Sequence, residues 1–299
     1  MSSSWITPVL DALGREAGWS YRPGGPAATE VMALAALALA GHQRHAAAER
    51  VARRLAALQA GDGSLGITAS QRDPHWPTGL AVLAWSVADE PGARQPGGFW
   101  QANIDRAVAW ILSTRGETLP KAPDLGHDPT LEGWSWVEGT HSWIEPTAIN
   151  LLALKATGRT GHPRARQAAL LLVDRMFASG GCNYGNTIVL GQRLLPHVEP
   201  SGLALLALAG ERDERRRIAA SLDYVEANLS AATTSMSLAH GLIGLAAHGR
   251  SMPRSSSWLE QAARKRRGPA AHQSALLVLA ALGEDCPLVR LALTPGGPA

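Results

Sequence analysis

An all-α fold, an (α/α)6 toroid of six inner and six outer helices, is predicted by three features of the sequence. A phrase that opens on Pro plus a small polar residue and runs into Ala and Leu recurs along the chain, clearest as PTGLAVLAW, PTAINLLAL and PSGLALLAL. Between its copies lie segments whose apolar residues return at three- and four-residue spacing, the mark of a helix with one buried face. Runs of alternating β-branched residues are scarce, and much of the 45% hydrophobic fraction is Ala and Leu, which favour helix.

Taken in order, the two kinds of segment alternate. SWITPVLDALGREA (4–17) has a polar face, and TEVMALAALALAG (29–41) is apolar all round. RHAAAERVARRLAALQ (44–59) precedes PTGLAVLAW (77–85), and FWQANIDRAVAWILSTR (99–115) precedes PTAINLLAL (146–154). HPRARQAALLLVDRMFA (162–178) is followed by PSGLALLAL (200–208), then ERRRIAASLDYVEANL (214–229) by AHGLIGLAAHG (239–249). The last pair is SSWLEQAARKR (256–266) and HQSALLVLAALG (272–283). Starts at Ser, Thr or Pro and stops at Gly are the expected helix boundaries. A helix without a polar face must be buried on every side, so the apolar six form an inner ring and the amphipathic six an outer one. Six pairs suffice to close the ring, whereas an open superhelix of hairpins is the alternative. The expectation is one domain over 1–299, with a short flexible tail from about 288 to 299.

Connections after inner helices are mostly short, while three that precede them are long. The longest reads GETLPKAPDLGHDPTLEGWSWVEGTHSWIE. Long ordered connections in compact domains are usually functional, and these carry Trp, His and Gly. They lie where inner-helix N-termini converge, an end whose dipoles favour anions. The expected site is there.

Charge narrows the partners. The formal net charge is +3, with Arg interleaved among Asp and Glu, and nothing resembles a nucleic-acid module. The one basic run, Arg264, Lys265, Arg266 and Arg267, reads either as a solvated helix end or as a contact with an anionic membrane surface. The N-terminal segment has no basic region followed by a long apolar stretch, and the longest apolar run is too short to span a bilayer. A cytoplasmic location is the expectation, and oligomeric state is left open. Cys182 and Cys286 form no metal-type pair.

Several residues carry a resemblance. LAALQAGDGSLG (55–66) resembles the Gln-Trp repeat of squalene–hopene cyclases: Gln59 and Gly63 fit, and Leu65 stands where the aromatic would be. GWSWVEG and the Pro-Thr-Ala-x-x-Leu-Leu-Ala-Leu helix start are similar to the repeat of the terpene cyclase and protein prenyltransferase superfamily. The resemblance implies an α/α toroid and an apolar, isoprenoid substrate. Class II cyclases of that superfamily protonate an alkene with an Asp-x-Asp-Asp motif. Here WIEPTA (143–148) has Glu145 at the central acid with Trp143 and Pro146 in place of its partners, and HVEPSG (197–202) repeats the arrangement with Glu199. The resemblance therefore points to an acid-catalysed cyclase or isomerase with Glu145, Glu199, His197 and His75 as catalytic residues. Trp19, Tyr21, Asp73, Trp76, Trp134, Trp136, His141, Trp143, Tyr184, His240 and His272 would line the substrate cavity.

Each candidate has a structural alternative. A carboxylate in a first helical turn gains ~0.3–1 kcal/mol from the helix dipole without any chemistry. The tryptophans suit inter-repeat packing as well as a cavity wall. A non-catalytic module holding a lipid, peptide or protein is the second functional reading. A zinc-dependent, prenyltransferase-like enzyme built on Cys182 and the histidines is the third, although no segment has that family's Asp-x-Cys spacing. Otherwise no metal or cofactor is expected.

Overall fold

The computed structural model describes residues 4–15, 19–88, 98–121, 125–265 and 270–294. Its outer helices are α1 (Ile6–Leu13), α3 (His45–Leu58), α5 (Gln101–Ser113), α7 (Pro163–Arg175), α9 (Arg217–Asn228) and α11 (Ser255–Lys265). The apolar segments form α2 (Thr29–Gly41), α4 (Thr78–Ala88), α6 (Ile144–Ala156), α8 (Val198–Ala207), α10 (Ser235–Ala246) and α12 (Ala271–Ala280). The expected alternation is therefore present, with boundaries moved by a few residues. The shifts fall at caps and first turns, where hydrogen-bonding partners rather than periodicity decide the end.

Each apolar helix packs on the next apolar helix, and α12 packs back on α2, so the inner six make a closed cycle of contacts. The amphipathic helices cover the outside: α3 lies on α2 and α4, α5 on α4, α7 on α6, α9 on α8 and α10, and α11 on α10 and α12, while α1 lies on α12 and α2. Within α2 every residue from Val31 to Ala40 is buried, as is every residue of α6 from Pro146 to Lys155. The outer helix α3 buries only Ala48, Val51, Ala52 and Leu55, at the three- and four-residue spacing of a single face.

A thirteenth helix corrects the expected tail. Residues 288–294 do not hang free: α13 (Pro287–Ala292) packs on α2, α4, α6, α8 and α10, with Leu288, Val289 and Ala292 in the core, while 295–299 lie outside the described residues. A side chain at Gly41, the last residue of α2, would collide with Pro287 and Leu282. The helix thus plugs the ring where the inner helices end. Its six residues span less than two turns, too few to display helical periodicity in the sequence.

The recurring Pro-Thr and Pro-Ser positions have a shared mechanical role. Thr78 Oγ1 accepts the Leu65 N–H (3.0 Å), Thr147 Oγ1 accepts the Trp134 N–H (3.0 Å), and Ser201 Oγ accepts the Cys182 N–H (2.9 Å). In each case an inner-helix hydroxyl clamps the long connection that precedes it, satisfying a buried donor. Leu65, Trp134 and Cys182 occupy equivalent places and are all buried.

Candidate functional site

The first turns of α2, α6 and α8 carry Glu30, Glu145 and Glu199. These acids meet two histidines at the N-terminal end of the inner ring. His272, on the first turn of α12, places Nε2 2.8 Å from Glu30 Oε1, with both side chains largely covered. The Tyr21 hydroxyl donates to the other Glu30 oxygen, and the Tyr21 ring stacks edge-on to His272 at 5.9 Å between centroids. The Glu30–His272 pair also joins the last inner helix to the first, so it lies on the seam that closes the ring.

Glu30 and Glu145 differ in charge because their partners differ. Burial raises the Glu30 carboxyl, but the hydrogen bond and positive charge of His272, with the hydrogen bond from the Tyr21 hydroxyl, hold it below the ordinary range. Glu145 is half-buried and has no hydrogen-bond partner among the described residues. Burial, then the negative charges of Glu30 and Glu199, push it up to about 8. Glu199 is raised as well, chiefly by burial. His240 is buried within α10, its Nδ1 without a partner among the described residues. Burial and the charge of His272 lower it to about 4, so it is neutral at pH 7. Ionised Glu30, protonated Glu145 and neutral His240 thus share one end of the ring. Glu30 was absent from the sequence-predicted set: it follows its helix-opening Thr29, whereas Glu145 and Glu199 precede Thr147 and Ser201 by two residues. Its readable signal was an acid in the first turn of an otherwise apolar helix.

The remaining predicted residues fall into separate places rather than one mouth. Tyr184 and His197 stack at 5.3 Å near Glu199, both exposed. His141 and Trp143 stack at 4.5 Å, and Trp143 covers Gly185 in the next long connection. Asp73, His75, Trp76, Trp134 and Trp136 line a different feature, an open cleft of about 960 Å³ between the connections before α4 and α6 and the end of α5. That cleft is not lined by Glu145 or Glu199, so His75 does not join them. Its Nδ1 lies 3.5 Å from Asp73 and its ring 5.7 Å from Trp110.

One expectation is corrected. Trp19 does not line a cavity: it is 2% exposed and donates its Nε1 proton to the Leu13 carbonyl at 2.8 Å. Trp134 has the same exposure and donates to the Ile111 carbonyl at 2.8 Å, with the Arg164 guanidinium 4.4 Å over its ring. Its main role is the inter-repeat packing described above, with one edge reaching the cleft. A large side chain with a single polar atom is readily absorbed by a core when a carbonyl is within reach, and sequence spacing does not register that carbonyl.

The zinc reading finds no donor set in the structure. Among the described residues, no three His, Cys, Asp or Glu side chains come together as an ion's ligands. Burial drives the Cys182 thiol up to about 12. In the basic run, Arg264 is paired with Glu260 on its own helix and Lys265 is exposed, while Arg266 and Arg267 lie outside the described residues. No helix among the described residues is long and apolar enough to cross a membrane.

No family model matches the chain, and no curated protein matches it. Among solved structures it is similar to native alpha-2-macroglobulin from Escherichia coli, in a crystal structure spanning domain MG7 to the C-terminus, with a TM-score of 0.50 and 14% identity. The match covers 93% of this chain and 42% of the other, so the chain spans less than half the length of that neighbour. At such identity the similarity concerns the fold alone.

Proposed function

We propose that this chain is an acid–base enzyme of the isomerase or cyclase kind, acting on an apolar, isoprenoid-type substrate at the N-terminal end of the inner ring, with Glu145 as proton donor. The observation that carries the reading is Glu145 itself: half-buried, without a hydrogen-bond partner among the described residues, and under the negative charge of two further carboxyls. A proton held there is shared with no other group and is available to a substrate. Paired acids whose environments separate their protonation states are a recurring basis for acid–base chemistry.

The same observation selects among reactions. A carboxyl with a pKa of about 8 is protonated at neutral pH but is a weak acid, ill suited to an unactivated alkene. It suits a substrate oxygen, such as a carbonyl or epoxide on an apolar skeleton. In this reading Glu145 protonates that oxygen, and the Glu199 carboxylate removes a proton from a neighbouring carbon. The net change is an isomerisation, and proton exchange with solvent restores both groups. Trp143 and Tyr21 offer aromatic faces to the apolar part, each contributing ~0.5–2 kcal/mol towards a developing positive charge.

The test is native mass spectrometry with lipid extraction of the purified protein, followed by turnover assays on isoprenoid ketones and epoxides. Turnover is expected to fall as pH rises through about 8, where Glu145 loses its proton, and Glu145→Gln is expected to lower kcat by ~10²–10⁴-fold. Full activity in that variant, or neither lipid nor turnover in the native protein, removes the proposal.

A further inference from the structure

The open cleft of about 960 Å³ stands apart from the three carboxyls at the ring end and has its own chemistry. Four carboxylate side chains line it, Asp62, Asp73, Glu117 and Glu138, against one arginine, Arg115. Arg115 lies 3.7 Å from Glu132, so its charge is partly offset by that neighbour. Glu117 and Glu138 have no ion-pair partner among the described residues. The Ser64 backbone N–H and hydroxyl both donate to Asp62, holding its carboxyl below the usual range and therefore charged. An acidic lining on a chain of net charge +3 is a local reversal of sign.

Indole rings face the same space. Trp76 and Trp136 meet edge-to-face at 4.6 Å between centroids, and Trp110 contributes a third ring. Both Trp76 and Trp136 are only partly buried, so ring surface is open to a ligand. Asn150, on α6, also lines the cleft. It is 2% exposed, its amide makes no hydrogen bond among the described residues, and its Oδ1 is buried without a partner.

We propose that this cleft binds an organic ammonium ion, a small molecule carrying a protonated amine on an apolar body. The carboxylates attract the cation, and the indole faces stabilise its charge and cover its apolar part. A bare metal ion fits poorly, because no three metal-ligating side chains converge among the described residues. An apolar neutral molecule leaves Glu117 and Glu138 without partners among the described residues. A cleft of this volume is within the range of small-molecule sites.

The experiment is calorimetric titration of the full chain with benzylammonium chloride and, separately, with benzyl alcohol of similar shape, at constant ionic strength. Saturable binding of benzylammonium is expected, at least tenfold tighter than benzyl alcohol. Trp136→Ala is expected to weaken it at least tenfold. Glu138→Gln changes an exposed side chain, keeps the far-UV circular dichroism of the native protein, and is expected to weaken binding severalfold. Equal binding of the two probes, no saturable binding of benzylammonium by folded protein, or unchanged affinity in folded Glu138→Gln and Trp136→Ala overturns the proposal.

Discussion

At the scale of single residues, the informative contrast is between Glu30 and Glu145. Both occupy first turns of inner helices, yet one is ionised and the other protonated, because His272 and Tyr21 reach only Glu30. This has a consequence for stability. A carboxyl whose pKa is raised on folding makes the folded state bind the extra proton, so stability declines as pH rises from the unfolded value of about 4.3 towards about 8. The loss amounts to roughly 1.4 kcal/mol per pH unit across that window and is complete above it. Glu145→Gln removes the penalty. Its melting temperature is expected to exceed that of the native protein at pH 8.5, with the gap closing towards pH 5. Thermal denaturation across that pH series checks the sign. Glu145 and Glu199 were legible in the sequence because each precedes a Pro-Thr or Pro-Ser helix start. Their charge states were not, since those depend on neighbours from α2 and α12 that are remote in the chain.

At the scale of elements, the repeat is both a packing unit and a clamp. The Thr or Ser of each phrase holds a residue of the preceding connection, so a motif read as a helix start also fixes the long loops. Two neighbouring inner helices approach more closely than side chains would allow. A Cβ on Gly202 of α8 would overlap the His240 carbonyl of α10, and one on Gly244 would overlap the Gly202 carbonyl. Gly202→Ala gains helix propensity of about 1 kcal/mol but must push two backbones apart. A net loss of about 2 kcal/mol is expected, measured by chemical denaturation. Because Gly202 packs on His240, the same substitution is expected to displace His240 from the Glu30–His272 pair, which a shift in its imidazole NMR resonances reports. The glycines themselves were visible as PSGLALLAL and AHGLIGLAAHG, and their partners across the helix interface were not.

For the whole molecule, closure rests on two devices at opposite ends of the ring. Glu30 and His272 tie α2 to α12 at one end, and α13 packs against five of the six inner helices at the other. Deleting residues 284–299 exposes the apolar surface beneath Leu288 and Val289. The truncated chain is expected to lose cooperative thermal unfolding and to bind a hydrophobic dye such as ANS, whereas Arg290→Ala, at an exposed position of the same helix, leaves both unchanged. Scanning calorimetry with dye fluorescence separates the two. The sequence by itself determined the helical class, the alternation of buried and amphipathic segments, and the placement of acids at inner-helix starts. Those follow from periodicity and end signals within about fifteen residues of chain, the range over which hydrophobic patterning acts. Only the tertiary structure decided that Trp19 is core, that the tryptophan cleft and the carboxyls are separate places, and that α13 is a plug. Each depends on which distant carbonyl, charge or apolar surface comes into contact, and such contacts leave no local mark on the sequence.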